Sequence, residues 1–400
     1  MRAVEPNGLI KNVHHAPFPD ADVLDVISLL PEHEQQQLLR IRQYLQDNVR
    51  KQIIEYWNRD EFAFDMLPGL AELGLGELAV QDWSWLYRGL VYAEVARVDA
   101  SLCSLVGIHN ELIVGMIDQL GSDTQRQRWL DQLCNFQAIG SFAMTEPNHG
   151  SDIAGGMETT ATKITDGWVI NGHKRWIGAA TFADFALVWA RDTADQQIKG
   201  FLVQMDLPGV SAEKINNKIG LRVMQNADLS FDQVEISDAD ALPGAAKFEA
   251  ANEMLRNSRI WVGWEALGAQ LHAFDVARDY ALDRQQFGRP LAKSQLIQQD
   301  LAEMISNASA CSGLMQQIAR LQTAGSVDMV HAAMAKSTGT RLLRDSVARA
   351  RNILGGNGIV STYEAAKIFT DAEALHTYEG TYEINSLIVA RAVTGVSAFV

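Results

Sequence analysis

The stretch Phe142-Ala143-Met144-Thr145-Glu146-Pro147-Asn148-His149-Gly150-Ser151-Asp152 marks the point where the texture of this chain changes. Upstream of it, apolar residues recur at helical spacing. Downstream, short β-rich runs alternate with turn dipeptides. The stretch itself offers a hydroxyl at Thr145 and a loop at Gly150 and Ser151 with backbone N–H groups free. Such a loop can hold a pyrophosphate or the polar edge of a ring. It can equally be a connector rich in turn formers.

Working outward toward the N-terminus, residues from Val23 to about Gln137 read as helical. Leu38, Ile41, Tyr44 and Leu45 form a stripe that Val49, Ile53 and Ile54 continue. Pro68-Gly69 and Gly74-Leu75-Gly76 punctuate it. Trp85 to Val98 gives a second helical run. Leu102 to Leu120 gives a third, apolar almost throughout and therefore expected to be buried, with His109 as a core group. Ser122 or Asp123 caps the next helix. Met1 to Asp22 lacks an apolar signal core and reads as a loose extension.

Toward the C-terminus, strands are expected at Thr159–Ile164, Trp168–Ile170, Phe185–Ala190, Phe201–Met205 and Leu229–Ile236. Asp166-Gly167 signals a hairpin and Asn171-Gly172 a turn. From about Phe248 the helical period returns. It predicts helices over Trp261–Leu282, from Ile297 through Leu301, Met304, Ile305 and Ala308 to Leu321, over Val327–Ile353 and over Ile384–Arg391. The expected fold class is α+β, with an N-terminal helical domain (1–137), a central β domain (138–246) and a C-terminal helical bundle (247–400).

Composition narrows the function. A net charge of -15 and a pI of about 5.0 over 400 residues argue against nucleic acid as a partner, because phosphate binding needs a basic stripe. Cys103, Cys134 and Cys311 are odd in number and widely spaced, which suits a reducing compartment and argues against a metal site. No stretch reads as a transmembrane span, and the final residues form no peroxisomal address, so the expected location is the cytoplasm.

Three further stretches carry chemistry. Lys174-Arg175-Trp176-Ile177-Gly178 places an indole at a strand start, where it can stack on a planar cofactor or fill a core. Asp283-Arg284-Gln285-Gln286-Phe287-Gly288-Arg289-Pro290-Leu291, followed by Gln295, suits anion and amide-edge recognition, or simply ends one helix and starts another. Thr377-Tyr378-Glu379-Gly380-Thr381 sets a carboxylate between an aromatic ring and a glycine, after the glycine cluster Leu354-Gly355-Gly356-Asn357-Gly358. Glu379 there is either a base in a tight turn or part of a surface turn.

Together, in this order, these motifs resemble the acyl-CoA dehydrogenase family, which also contains acyl-CoA oxidases. Thr-Glu-Pro-x-x-Gly-Ser-Asp, Arg-x-x-Phe-Gly, Leu-Gly-Gly-Asn-Gly and Tyr-Glu-Gly-Thr carry the likeness from about Asp25 to Phe399. Ala281–Gln298 and Tyr378–Gly395 are most similar to glutaryl-CoA dehydrogenases and plant short-chain acyl-CoA oxidases. The resemblance implies a C-terminal four-helix bundle, a homotetramer and one FAD per subunit. It implies that Phe142, Met144, Thr145, Gly150, Ser151 and Trp176 line the flavin and its chain. Arg284, Phe287, Gln295 and Gly356 would reach the FAD of a neighbouring subunit, and Thr381 would contact FAD beside the base. Glu379 matches the family's catalytic base. Ser151, Cys103, Arg259, Tyr378 and Gly380 fall at substrate positions.

The implied reaction is α,β-dehydrogenation of a short- or medium-chain acyl-CoA to the trans-2-enoyl-CoA. Electrons would pass to an electron-transfer flavoprotein. Alternatives are an oxidase that uses oxygen, a glutaryl-CoA dehydrogenase-like decarboxylating enzyme, a flavin monooxygenase, and a non-catalytic acyl-CoA or FAD-binding protein. Some relatives carry the base one position before a family arginine; here that pair is Ser258 and Arg259, and serine cannot replace a carboxylate. Gly178 stands where dehydrogenases commonly have threonine, as in the plant oxidase pattern. Cys103 stands where glutaryl-CoA dehydrogenases have arginine, and Asn352 where many relatives have glutamine.

Overall fold

The computed structural model describes residues 16–398. Of the expected extension Met1–Asp22, residues 1–15 lie outside the described residues. Residues 16–22 are not loose throughout: Ala21 is buried, Asp20 O accepts from Arg97 Nη2 at 2.9 Å, and Asp22 accepts from Val26 N at 2.9 Å.

The N-terminal part is helical. Helix α1 (Glu32–Tyr44) runs through a π-turn at Leu45–Val49 into α2 (Arg50–Arg59), and α3 (Leu67–Glu72) follows. Next come α4 (Trp85–Ala96), capped by Ser84, and α5 (Ala100–Gly107), capped by Asp99, whose carboxylate accepts from Leu102 N at 2.7 Å. A second π-turn, Ile108–Val114, joins α5 to α6 (Gly115–Leu120). Contrary to the expectation from sequence, Ala100–Leu120 is long and apolar enough to cross a membrane, but 94% of that window is buried inside the protein. Ser122 and Gln125 form a capping box at α7 (Asp123–Cys134). His109 is a core group, as expected: Nε2 lies 2.9 Å from Leu133 O, and burial pulls its pKa down to about 4.

A seven-stranded sheet follows, ordered β1-β4-β2-β3-β7-β6, with β5 on the other side of β4. The strands are β1 (Gly140–Ala143), β2 (Thr160–Ile164), β3 (Gly167–Gly178), β4 (Phe185–Asp192), β5 (Ile198–Gln204), β6 (Val210–Lys214) and β7 (Asn226–Ser237). Helix α8 (Ile153–Gly156) lies between β1 and β2. The hairpin that Asp166-Gly167 signals joins β2 and β3; its turn is Thr165-Asp166, and Gly167 already pairs with Ile164. Asn171-Gly172 is not a turn. It is an irregularity inside β3, where the register against β7 shifts. Gly172 has φ 144°, and a Cβ there would sit 2.7 Å from Thr159 Cα, so glycine is required. Trp176 therefore lies near the end of β3, at a second register shift, and not at a strand start.

The C-terminal part contains α9 (Glu249–Asp283), a short hairpin of β8 (Gln285–Gln286) and β9 (Arg289–Pro290), α10 (Gln295–Thr323), α11 (Met329–Ile353), α12 (Ala365–Thr377) and α13 (Tyr382–Thr394). Helix α11 packs on α9, α10, α12 and α13 and forms the centre of the bundle. Helix α12 escaped the sequence reading because its buried face carries charges, Lys367 and Asp371. Lys367 Nζ bridges Asp99 at 2.6 Å and Asp371 at 2.7 Å. Asp371 also accepts from Trp57 Nε1 at 3.1 Å and Leu221 N at 2.6 Å. One buried cluster thus ties α2, α5, the β region and the bundle together, and so fixes the sheet face against the bundle.

Candidate active site

The turn between α12 and α13 presents Glu379. Both Glu379 (φ 54°) and Gly380 (φ 79°) sit in the left-handed region, which costs a non-glycine residue unless its surroundings hold it there. They do. Asn385, buried one turn into α13, donates to Gly380 O at 2.8 Å and Thr381 O at 3.0 Å. Lys336 on α11, 0% exposed, donates to His376 O and Gly380 O, each at 2.7 Å. Thr381 caps α13 by accepting from Ile384 N at 3.2 Å.

The carboxylate itself meets α9. Ser258 Oγ donates to Glu379 Oε2 at 2.5 Å. Arg259 donates to Asn385 Oδ1 at 3.2 Å and Leu255 O at 2.7 Å, and burial lowers its pKa despite the nearby Glu379 charge. A Cβ on Gly380 would lie 3.1 Å from Asn385 Nδ2 and 3.4 Å from Arg259 Nη2. Lys336 has no carboxylate bonded to it, and burial pulls its pKa down to about 7 against the raising effect of Glu379. The Glu379 N–H donates to no carbonyl among the described residues. It is therefore available to a ligand oxygen.

The Tyr378 hydroxyl bonds to Glu265, and Ser104 Oγ donates to the other Glu265 oxygen at 2.9 Å. Cys103 is fully buried, its thiol directed at Tyr92 O at 3.2 Å.

The loop after β1 is held differently. Glu146 accepts from Glu158 N at 2.6 Å and Thr159 N at 2.9 Å. Lys174, 0% exposed, pairs with Glu146 at 2.8 Å and donates to Met144 O at 3.0 Å. Burial lowers the Lys174 pKa to about 8, while Glu146, pushed up by burial, is brought below its usual value by Lys174. Met144 is buried, Phe142 and Thr145 half-buried, and Gly150 and Ser151 exposed. Thr145 O accepts from Arg175 N at 2.8 Å, which brings the loop beside Trp176. Trp176 has φ 66° and is 52% exposed, with Arg175 over its ring. Gly178 abuts Met224 Cε and Ile108 Cδ1, which a Cβ would approach to 2.9 and 3.1 Å.

Arg284, Phe287, Gln295 and Gly356 are exposed. The first two lie in the hairpin after α9, and Gln295 begins α10. The glycine cluster is tied to α9 by Asn357 Nδ2 donating to Tyr280 OH at 2.9 Å. Phe287 is 100% exposed at φ 52°. Sequence reasoning passed over Lys336, Asn385, Glu265 and Trp261. Lys336 and Glu265 did leave a signal: each is a charged residue on the buried face of an otherwise apolar helix.

A carboxylate in a strained but braced turn suits proton transfer, and an exposed indole next to an open loop suits a planar cofactor. Comparison with known proteins agrees. The models for the acyl-CoA dehydrogenase N-terminal, middle and C-terminal domains match residues 31–137, 141–234 and 248–394. The short-chain specific acyl-CoA dehydrogenase of Rattus norvegicus mitochondria is 33% identical over 376 residues, covering 90% of each chain. A glutaryl-CoA dehydrogenase structure from Mycobacterium smegmatis superposes with TM-score 0.91 at 33% identity, covering 95% of this chain and 99% of that one. The structure of a glutaryl-CoA dehydrogenase from Mycobacterium smegmatis in complex with FADH2 gives TM-score 0.91 at 29% identity, with the same coverage. The chain belongs to the acyl-CoA dehydrogenase family, whose members are FAD enzymes acting on CH–CH bonds.

The residues present fit FAD. Thr145 Oγ1 makes no hydrogen bond among the described residues, and the Ser151 N–H donates to no main-chain carbonyl, while the Gly150 N–H donates to the Asp152 carboxylate. A Cβ at Gly150 would meet only Thr145 Cγ2, at 3.9 Å, so the loop is open on that side. The half-exposed Trp176 indole supplies a face for a ring system.

Proposed function

We propose that this enzyme removes the α and β hydrogens of an acyl-CoA to give the trans-2-enoyl-CoA, with Glu379 as the base. The observation that carries this reading is the braced carboxylate: Glu379 is held by Ser258, and its turn by Lys336 and Asn385, in a left-handed conformation of the kind that clusters at functional sites. Glu379 takes the α-proton. Its own N–H, free in the fold, donates to the thioester oxygen as negative charge develops there. Tyr378 and Gly380 flank the thioester, and Arg259 borders the site. Bound FAD supplies the acceptor for the two electrons leaving with the β-hydrogen. Phe142, Met144, Thr145, Gly150, Ser151, Trp176 and Thr381 hold it from one subunit. Arg284, Phe287, Gln295 and Gly356 reach a neighbour's FAD in a homotetramer. The fully exposed Phe287, with Leu296 and Ile359 also exposed, supports a covered surface there.

The chain divides into the three regions 1–137, 138–246 and 247–400, works in the cytoplasm, and passes electrons to an electron-transfer flavoprotein. Oxygen as acceptor is the second reading, favoured by Gly178, where Met224 and Ile108 occupy the space a larger side chain would need. A glutaryl-CoA-like decarboxylation is disfavoured: Cys103 is buried beside the Glu265 carboxyl, with no cation bonded to either to pair with a distal carboxylate.

The test is Glu379→Gln. Anaerobic addition of an acyl-CoA should bleach the wild-type flavin and leave the variant's flavin yellow, with FAD content unchanged. Bleaching of the variant at the wild-type rate overturns the assignment of the base. Stoichiometric hydrogen peroxide during turnover in air would replace the flavoprotein acceptor by oxygen.

A further inference from the structure

Ser258, Trp261 and Glu265 occupy positions i, i+3 and i+7 of α9 and so share one face. All three touch the turn that carries the base. Ser258 reaches Glu379, the Trp261 ring meets the Tyr378 ring edge-on at 6.2 Å and 78°, and Glu265 bonds the Tyr378 hydroxyl. An acyl chain laid from Glu379 along this face would meet the two aromatic rings within one helical turn, about 5 Å.

There is no slack behind those rings. The Trp261 indole lies directly over the backbone of α5 at Gly107, where a Cβ would fall 2.0 Å from Cε2. Trp261 is 1% exposed, and its neighbours Cys103, Ser104 and Glu265 are buried. Its Nε1 has no oxygen or nitrogen partner among the described residues and faces the Cys103 sulfur, a weak acceptor. An indole N–H left without a clear partner indicates that shape put this side chain here.

Glu265 explains why Tyr378 cannot swing aside to lengthen the slot. Its carboxyl is 0% exposed, and its side-chain partners are hydroxyls, Ser104 Oγ at 2.9 Å and Tyr378 OH. The two hydroxyls also lie 3.3 Å apart. Burial raises its pKa to about 8, so at neutral pH it is mainly a neutral acid that both donates and accepts. A buried acid with this geometry fixes a phenol in one rotamer.

We propose that Trp261, with Tyr378 locked by Glu265 and Ser104, closes the acyl slot and limits the substrate to a short, butyryl-sized acyl thioester. Trp261 is the specificity-determining residue. Glu265 is a positioning residue that acts through Tyr378. The proposal rests on Glu379 being the base beside the acyl chain.

The test uses the purified FAD-loaded enzyme. Binding of butyryl-, octanoyl- and dodecanoyl-CoA thioether analogues, which lack the carbonyl that acidifies the α-proton, is measured by calorimetry. Flavin bleaching by the matching acyl-CoA thioesters is followed anaerobically. The wild type should bind the butyryl analogue about tenfold or more tightly than the octanoyl one. Trp261→Gly, which opens the slot opposite Gly107, should reverse that order, and the milder Trp261→Leu should narrow the gap. Glu265→Leu should also narrow it, and Glu265→Gln, which still donates and accepts, should restore the wild-type order. Thermal unfolding and FAD content confirm that each variant is folded. A wild type that binds octanoyl or dodecanoyl analogues as tightly as butyryl overturns the proposal. So does a folded Trp261→Leu variant with an unchanged length order. If no acyl-CoA of any length bleaches the wild-type flavin, the dehydrogenase reading fails instead, while the binding order still decides the depth of the slot.

Discussion

Two buried lysines hold the two halves of the site, and they do so on different terms. Lys174 lies under the loop after β1, paired with Glu146 at 2.8 Å, and that carboxylate also accepts two backbone N–H groups. Lys336 lies under the base turn and bonds only to carbonyls, His376 O and Gly380 O. Glu265, also buried on the base side, likewise has hydroxyls and no cation for partners. The loop side is thus locked by a complete ion pair. The base side is built from groups that burial drives toward neutrality, from opposite directions. Arg259 stands apart from these two groups: it is a lasting cation near the Glu379 carboxylate.

The sharpest way to break this comparison is to remove one partner from the complete pair. Glu146→Ala leaves Lys174 buried and unpaired and should cost about 3–5 kcal/mol of stability in urea unfolding. Much of that loss should return in the double variant Glu146→Ala/Lys174→Met. A cost below about 1 kcal/mol would show that the pair is not the lock on the loop.

The next effect is a pH dependence on the base side. Glu265 is protonated in the folded state up to about pH 8 but ionises in the unfolded chain at the ordinary carboxylate value. Between those values the unfolded state binds fewer protons, so stability falls as pH rises. Against Glu265→Gln, the wild type should lose up to a few kcal/mol across that window, and chemical denaturation at several pH values measures it. Lys336 works in the opposite sense. Its folded value of about 7 lies below the ordinary lysine value of 10.5, so over that interval the wild type should gain stability with rising pH relative to Lys336→Met.

Lys336→Met should also separate stability from function. Losing a cation that has no counter-ion offsets part of the lost carbonyl bonds, so the net cost at neutral pH should stay near 2 kcal/mol or below. The Glu379–Gly380 turn loses its brace, and the rate of flavin reduction should fall about tenfold. A variant that loses stability at an unchanged reduction rate would make Lys336 a purely structural group. The smallest effect belongs to the exposed platform. Trp176→Ala should change stability by no more than about 0.5 kcal/mol. FAD retention on gel filtration should nevertheless drop, because the side chain faces outward and not into a core.

The likeness to the family was legible because its motifs are local. The hairpin signalled by Asp166-Gly167 and the cap of α7, for which Ser122 and Asp123 are the candidates and Ser122 is the one used, settle through contacts a few residues apart. Asn171-Gly172 misled because the same dipeptide serves a turn or a bulge, and the partner strand β7 decides which. Helix α12 was missed because Lys367 and Asp371 mimic a solvent face, whereas their partners are Asp99, Trp57 and Leu221, far away in sequence. The Leu102–Leu120 run was read correctly as buried but not as membrane-compatible, since composition carries the second property and packing decides between them.

The sequence by itself determined the α+β class and the family and pointed to Glu379 as the candidate base, because periodicity, turn chemistry and short motifs depend on neighbours along the chain. Only the tertiary structure decided what surrounds Glu379. Ser258, Trp261 and Glu265 come from one helix, Lys336 from another, Ser104 and Gly107 from a third, and Asn385 from a fourth. Whether a buried charge has a counter-ion, and whether an indole fills a slot or lines it, depends on distances between helices far apart in sequence. No spacing along one segment encodes those distances.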